Sequence, residues 1–123
     1  MRILLNKKLL TPLHELYTLL NILPIPRLHE FKILVFIHKC LYHKYLIPTV
    51  FHSYFKDHST IHNYNTRKKS DLYSSKIKSS IGQRCTNVHG CTLWNSQPED
   101  FKMCTSLCLF PRHLKHYFSN IIQ

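Results

Sequence analysis

The stretch PRLHEFKILVFIHKCLYHKY fills residues 26–45, and its periodicity decides the fold class. Leu28, Phe31, Val35, Tyr42 and Tyr45 recur at helical spacing on one face, with Leu34 and Leu41 alongside, which predicts a helix over about 26–46. Ile33, Phe36, Ile37 and Cys40 fall on the other faces, so the middle of this helix is apolar nearly all round. Such a helix is buried on several sides. The expectation is that a chain this small leaves part of it uncovered. Pro48 stops the helix, and TVFHSYF (residues 49–55) adds one short turn.

Working outward, Thr11 and Pro12 read as an N-cap and a first helical residue. Leu13, Leu16, Tyr17 and Leu20 follow on one face, giving a helix over about 11–23 that Pro24 and Pro26 terminate. After the long helix the chain turns polar, and a loop is predicted over about 57–80. Alternation in DLYSSKIKS (residues 71–79) permits a short strand, with RCTNVH (residues 84–89) as its hairpin partner. Ser106 caps a last helix, about 107–118, whose Leu107, Phe110, Leu114, Tyr117 and Phe118 share a face. Pro111 sits badly inside it, at ~3 kcal/mol for a truly interior proline, so this helix should start late or kink. The fold class is therefore mainly α: one small helical domain over 1–123 with an irregular middle that holds at most a short β-hairpin.

Composition narrows the function. In 123 residues there are 17 Lys and Arg against 6 acids, a formal net charge of +11, with 10 His besides. A small domain this basic suits a polyanion, nucleic acid before membrane. The chain has no alanine and only 2 Gly, while Ile, Lys, Asn, Tyr and Phe abound, a pattern of AT-rich coding. Its helices thus lack their best former. No apolar run approaches the ~20 residues of a membrane span, and the N-terminus carries no signal-peptide core. An odd number of irregularly spaced cysteines, 5, points to a reducing, intracellular setting, nucleus and cytoplasm alike.

Chemistry-bearing motifs are few. Cys104, Cys108, His113 and His116 crowd together, but zinc sites need a longer separation between their Cys and His pairs, and Leu107 and Phe110 mark the segment as a packing helix. Cys85, His89 and Cys91 make a weaker set still, so no metal and no cofactor is expected. No nucleophile elbow is present, and Gly82 and Gly90 cannot build a phosphate loop. Asp57, Asp71 and Asp100 stand apart, without the clustered carboxylates of two-metal chemistry, so no catalytic residue is assigned. Arg67, Lys68 and Lys69 are candidate phosphate contacts, with Tyr64 and Tyr73 flanking them as candidate base-stacking groups. A solvated basic loop is the plain alternative.

The string GCTLWNSQPEDF (residues 90–101), followed by SLCLFPRHLKHYF (residues 106–118), carries a resemblance. It resembles the C-terminal end of reverse transcriptases from non-LTR (LINE-like) retrotransposons, a string of the type Gly-x-x-Leu-Trp-Asn-Ser-Leu-Pro, an acidic step, then Ser-x-x-x-Phe-Lys-x-x-Leu-Lys. Gly90, Leu93, Trp94, Asn95, Ser96 and Pro98 match the first part, and Ser106, Phe110, Leu114 and Lys115 the second. NILPIPRLHEFKILVFIHKCLYHKYLIP (residues 21–48) resembles the segment that follows the polymerase palm, and HNYNTR (residues 62–67) the string between the two. The resemblance implies a thumb-like, non-catalytic tail of an RNA-directed DNA polymerase, contacting template and primer, whose palm and fingers would lie before Met1. It implies that Trp94 is a packing anchor and that the apolar middle of the second helix docks on the absent body. Gln97 and Pro111 depart from the pattern and put the ordering of the last helix in doubt. A free-standing basic nucleic-acid-binding module, without polymerase ancestry, is the alternative.

Overall fold

Every one of the 6 prolines stands at the beginning of a helical turn. The computed structural model describes Ile3, Leu5, Asn6, Lys8 and residues 11–61 and 71–121. Among these residues run α1 (Leu13–Leu19), α2 (Ile25–Tyr42), 3-10 turns at Lys44–Leu46 and Thr49–Phe51, α3 (His58–Ile61), α4 (Ser80–Gln83), α5 (Thr86–Asn95), α6 (Glu99–Met103) and α7 (Leu109–Ile121). Pro12, Pro24, Pro48 and Pro98 are N-caps with φ of −56° to −58° and extended ψ. Pro26 lies in the first turn of α2, and Pro111 is the third residue of α7. In a first turn the backbone N–H has no intrahelical acceptor, so a residue without one loses nothing. Ser106 caps this helix as expected, its hydroxyl accepting from Leu109 N–H at 3.4 Å and its carbonyl from Phe110 N–H at 3.1 Å, and α7 proper starts at Leu109, so Pro111 falls near its beginning and not in its middle.

The helical class is confirmed, and three local expectations are corrected. The first helix ends at Leu19, not near 23, because Asn21 takes a left-handed φ of 50°. Ile22 N–H then bonds the Tyr17 carbonyl and Asn21 N–H that of Thr18, the double bond of a Schellman cap. The expected hairpin does not form. RCTNVH runs into α5, and the only β pairing among the described residues is the isolated antiparallel bridge between Asp57 and Leu72. Tertiary packing of the helix against α2 outweighs the β-leaning Cys, Thr and Val of that string.

The third correction concerns which side of α2 is buried. Ile33, Leu34 and Ile37 are at most 7% exposed, whereas Leu28 and Tyr42, on the predicted face, are 41% and 40% exposed and Tyr45 is 77% exposed. α2 ends at Tyr42, so Tyr45 lies in the following 3-10 turn and not on its face. α5 and α7 both pack on α2, and Phe36 meets Phe51 edge to face at 5.4 Å. The apolar middle is therefore covered by the chain's own elements. Gly90 permits this closeness: a Cβ there would lie 3.0 Å from Ile37 Cδ1 and 3.3 Å from Ile33 Cγ2. No described helix is long and apolar enough to cross a membrane.

Candidate nucleic-acid interface

The string around Trp94 is built into the core from α5 and the turn that follows it. Trp94 is 2% exposed and lies 5.9 Å from Phe110, ring centre to ring centre. Phe110 is in turn stacked on His38 of α2 at 4.2 Å and 13°. Leu114 and Phe118 continue the buried face of α7, while Leu93 is half-buried. Ser96 is exposed and its hydroxyl donates to the Leu93 carbonyl at 2.8 Å; Pro98 caps α6.

Asn95 does something else. The bridge joins Asp57 and Leu72 through hydrogen bonds made by their neighbours, His58 N–H to the Asp71 carbonyl (3.1 Å) and Tyr73 N–H to the Lys56 carbonyl (2.7 Å). A residue at such a non-hydrogen-bonded position points its own N–H and C=O to the opposite edge. There Asn95 meets both: Leu72 N–H donates to Oδ1 and Asn95 Nδ2 donates to the Leu72 carbonyl, each at 2.9 Å. One side-chain amide thus stands in for a neighbouring strand. Lys102 fixes the adjacent residue. Its side chain is 9% exposed, and its three ammonium protons match Asp71 Oδ1 (3.2 Å), Glu99 Oε1 (3.2 Å) and the Asn95 carbonyl (3.3 Å).

Tyr64, Arg67, Lys68 and Lys69, the candidate contacts read from sequence, lie outside the described residues. The described residues on either side of that stretch are anchored together: the Asp57–Leu72 bridge brings its two flanks to one place, and Asn95 and Lys102 tie that place to α5 and α6. Tyr73 lies beside the bridge, its ring edge-to-face with His58 at 5.5 Å. Sequence reading missed Lys102 and took Asp71 as an isolated acid, without its pairing to Lys102. The available signal was the position of Lys102 three residues after Glu99, between Phe101 and Met103.

Three further side chains hold the α6–α7 connection. His38 Nε2–H donates to the Cys104 carbonyl (2.7 Å), Tyr42 O–H to that of Lys102 (2.6 Å) and His43 Nε2–H to that of Thr105 (2.8 Å). Burial lowers the His38 pKa below its ordinary value, aided by nearby His43 and opposed by the Cys104 hydrogen bond. The folded chain therefore prefers neutral His38. Its contribution is complete above the unfolded value of about 6.5 and is lost as pH falls below it. The melting temperature is expected to drop between pH 7.5 and 5.5, and to drop less in His38→Gln. Parallel curves for the two proteins would exclude His38 as the cause.

Charge is distributed in a way that leaves the surface basic. Glu30 pairs with Arg27 at 2.8 Å, and Asp71 and Glu99 pair with Lys102, so among the described residues three of the 6 acids are engaged by two cations. All five cysteines are free thiols; burial pushes those of Cys40 and Cys91 up to about 11. Cys108, His113 and His116 are exposed, and no group of three His, Cys, Asp or Glu side chains among the described residues is placed to hold a metal ion.

Gln97 is a local defect. Its Nε2 donates to the Leu93 carbonyl at 3.1 Å, but Oε1 is buried without a partner. An orphaned buried acceptor costs ~1–3 kcal/mol. Gln97→Leu is therefore expected to raise stability by roughly 1–2 kcal/mol in urea titrations; a lower midpoint would show that the Leu93 bond matters more. Comparison with family models, curated proteins and solved structures finds no match.

Proposed function

We propose that this chain is a non-catalytic nucleic-acid-binding unit, the thumb-like tail of a non-LTR retrotransposon reverse transcriptase, acting on the sugar-phosphate backbone of template and primer inside the cell. The observation that supports it best is the hold of Asn95 on Leu72. Asn95 belongs to the most specific string of the resemblance, and the segment it grips adjoins the basic stretch with Arg67, Lys68 and Lys69. The string that carries the resemblance thus holds Leu72, three positions after Lys69 in the chain, to the helical body. A net charge of +11, with half of the acids tied up in ion pairs, supplies the attraction to a polyanion. Asp71 is committed to Lys102, which supports a role without metal-dependent polymerisation.

A second reading, a free-standing basic nucleic-acid-binding module, draws on one observation: α2 is covered by its own chain and does not wait for a missing body. Both readings make the same binding expectation. Affinity for duplex and single strands should fall with salt, with a log–log slope of about −0.7 to −0.9 per phosphate contact. Replacing Arg67, Lys68 and Lys69 with Ala should flatten that slope by roughly two to three contacts' worth, with circular dichroism unchanged. An unchanged slope in anisotropy titrations would remove this stretch from the binding surface.

A further inference from the structure

Two clefts flank the segment between the Thr49–Phe51 turn and α3, and Lys56 lies on the wall of both. The first, about 390 Å³, is lined by Tyr54, Tyr73, Val50, Ile61 and Asn87 besides Lys56. The second, about 420 Å³, is lined by Lys44, Lys56, His52 and Asp57 among others. Both volumes fall in the ~300–1,000 Å³ range of small-ligand sites. One wall is aromatic and the other carries two lysines against one carboxylate. His52 is already used, its Nε2 bonding the Lys44 and Ile47 carbonyls at 2.9 and 3.2 Å. Lys44 and Lys56 are exposed and, among the described residues, in no ion pair.

The aromatic wall is packed against neighbouring rings. Tyr54 is held edge-to-face by Phe55 at 5.2 Å and by Phe51 at 5.6 Å, and Tyr73 by His58. Tyr73 backbone is fixed as well, through its N–H to the Lys56 carbonyl. Around the rim, Val50 is 74% exposed and Ile61 40%. An exposed apolar rim around packed aromatic rings, next to free cations on a strongly basic chain, has the chemistry of a base-stacking and phosphate-binding pair.

Resting on the nucleic-acid reading above, we propose that these adjoining clefts take one unpaired nucleotide of a single strand, its base against Tyr54 and Tyr73 and its phosphate on Lys44 and Lys56. A paired base cannot enter, so the clefts favour single strands over duplex.

The experiment compares a labelled oligothymidylate with a duplex of equal length, by anisotropy at several salt concentrations. Tyr73→Leu keeps bulk but removes the aromatic face; it should weaken single-strand binding about 5- to 150-fold and leave duplex binding unchanged, while Tyr73→Phe behaves like the parent. Lys56→Gln should flatten the single-strand salt slope by about 0.7. Val50→Glu changes an exposed position, does not burden folding, and should weaken the single strand selectively. Equal losses on both probes in Tyr73→Leu, or unaltered single-strand affinity in Val50→Glu, overturn the cleft assignment and leave backbone binding standing. A parent protein that binds neither probe overturns both.

Discussion

Trp94→Ala should lower the free energy of unfolding by ~3–5 kcal/mol, a large part of the ~5–15 kcal/mol that holds a domain of this size together. Trp94 is buried beside Phe110, which is itself stacked on His38, so truncation opens a void bordered by α2 and α7 at once. Urea titration followed by far-UV circular dichroism measures it, with an unchanged slope confirming that stability and not compactness has shifted. Nucleic-acid binding should weaken only in proportion to the unfolded fraction. A folded Trp94→Ala protein that no longer binds would instead make the indole a contact for bases.

Asn95→Ala should cost roughly 2–4 kcal/mol, because it strands a buried donor and a buried acceptor together, at ~1–3 kcal/mol each. Leu72 is 1% exposed, so water cannot readily take over either bond. Asn95→Asp offers a discriminating control. It retains an acceptor for Leu72 N–H but loses the donor to the Leu72 carbonyl and adds a carboxylate close to Asp71, so it should recover little. Midpoints for both variants within error of the parent would show that the Asp57–Leu72 bridge holds without Asn95.

How much of this was legible beforehand differs from element to element. The helix at 25–42 was plain from its apolar density and its start followed from Pro24, but it stops at Tyr42, four residues short of the end that Pro48 suggested, and Pro48 opens a later 3-10 turn. Its buried side was not, because a helix apolar on all sides gives periodicity nothing to discriminate; the side is set by where α5 and α7 arrive. α5 itself was misread as strand. Its inner face includes Gly90 and Cys91, small residues that sequence patterns do not score as core, yet Gly90 lets α5 lie directly against Ile33 and Ile37 of α2. The Trp-Asn-Ser-x-Pro string was recognisable by resemblance. That its asparagine would complete a strand edge more than twenty positions earlier in the chain depends on a register that no local pattern encodes.

The placement of the prolines has a consequence for the unfolded chain. Wherever the folded backbone already accepts its ring, a proline removes conformations from the unfolded ensemble that folding would otherwise have to give up, by ~0.4–1 kcal/mol each. All 6 here sit at such positions, so together they shift the balance by roughly 2–6 kcal/mol, on the scale of a whole domain's stability. Without alanine, the helix interiors forgo up to ~0.7 kcal/mol at each ordinary residue. A chain written in helix-poor residues thus recovers a part of that deficit at its turns, by being less free when it is not folded.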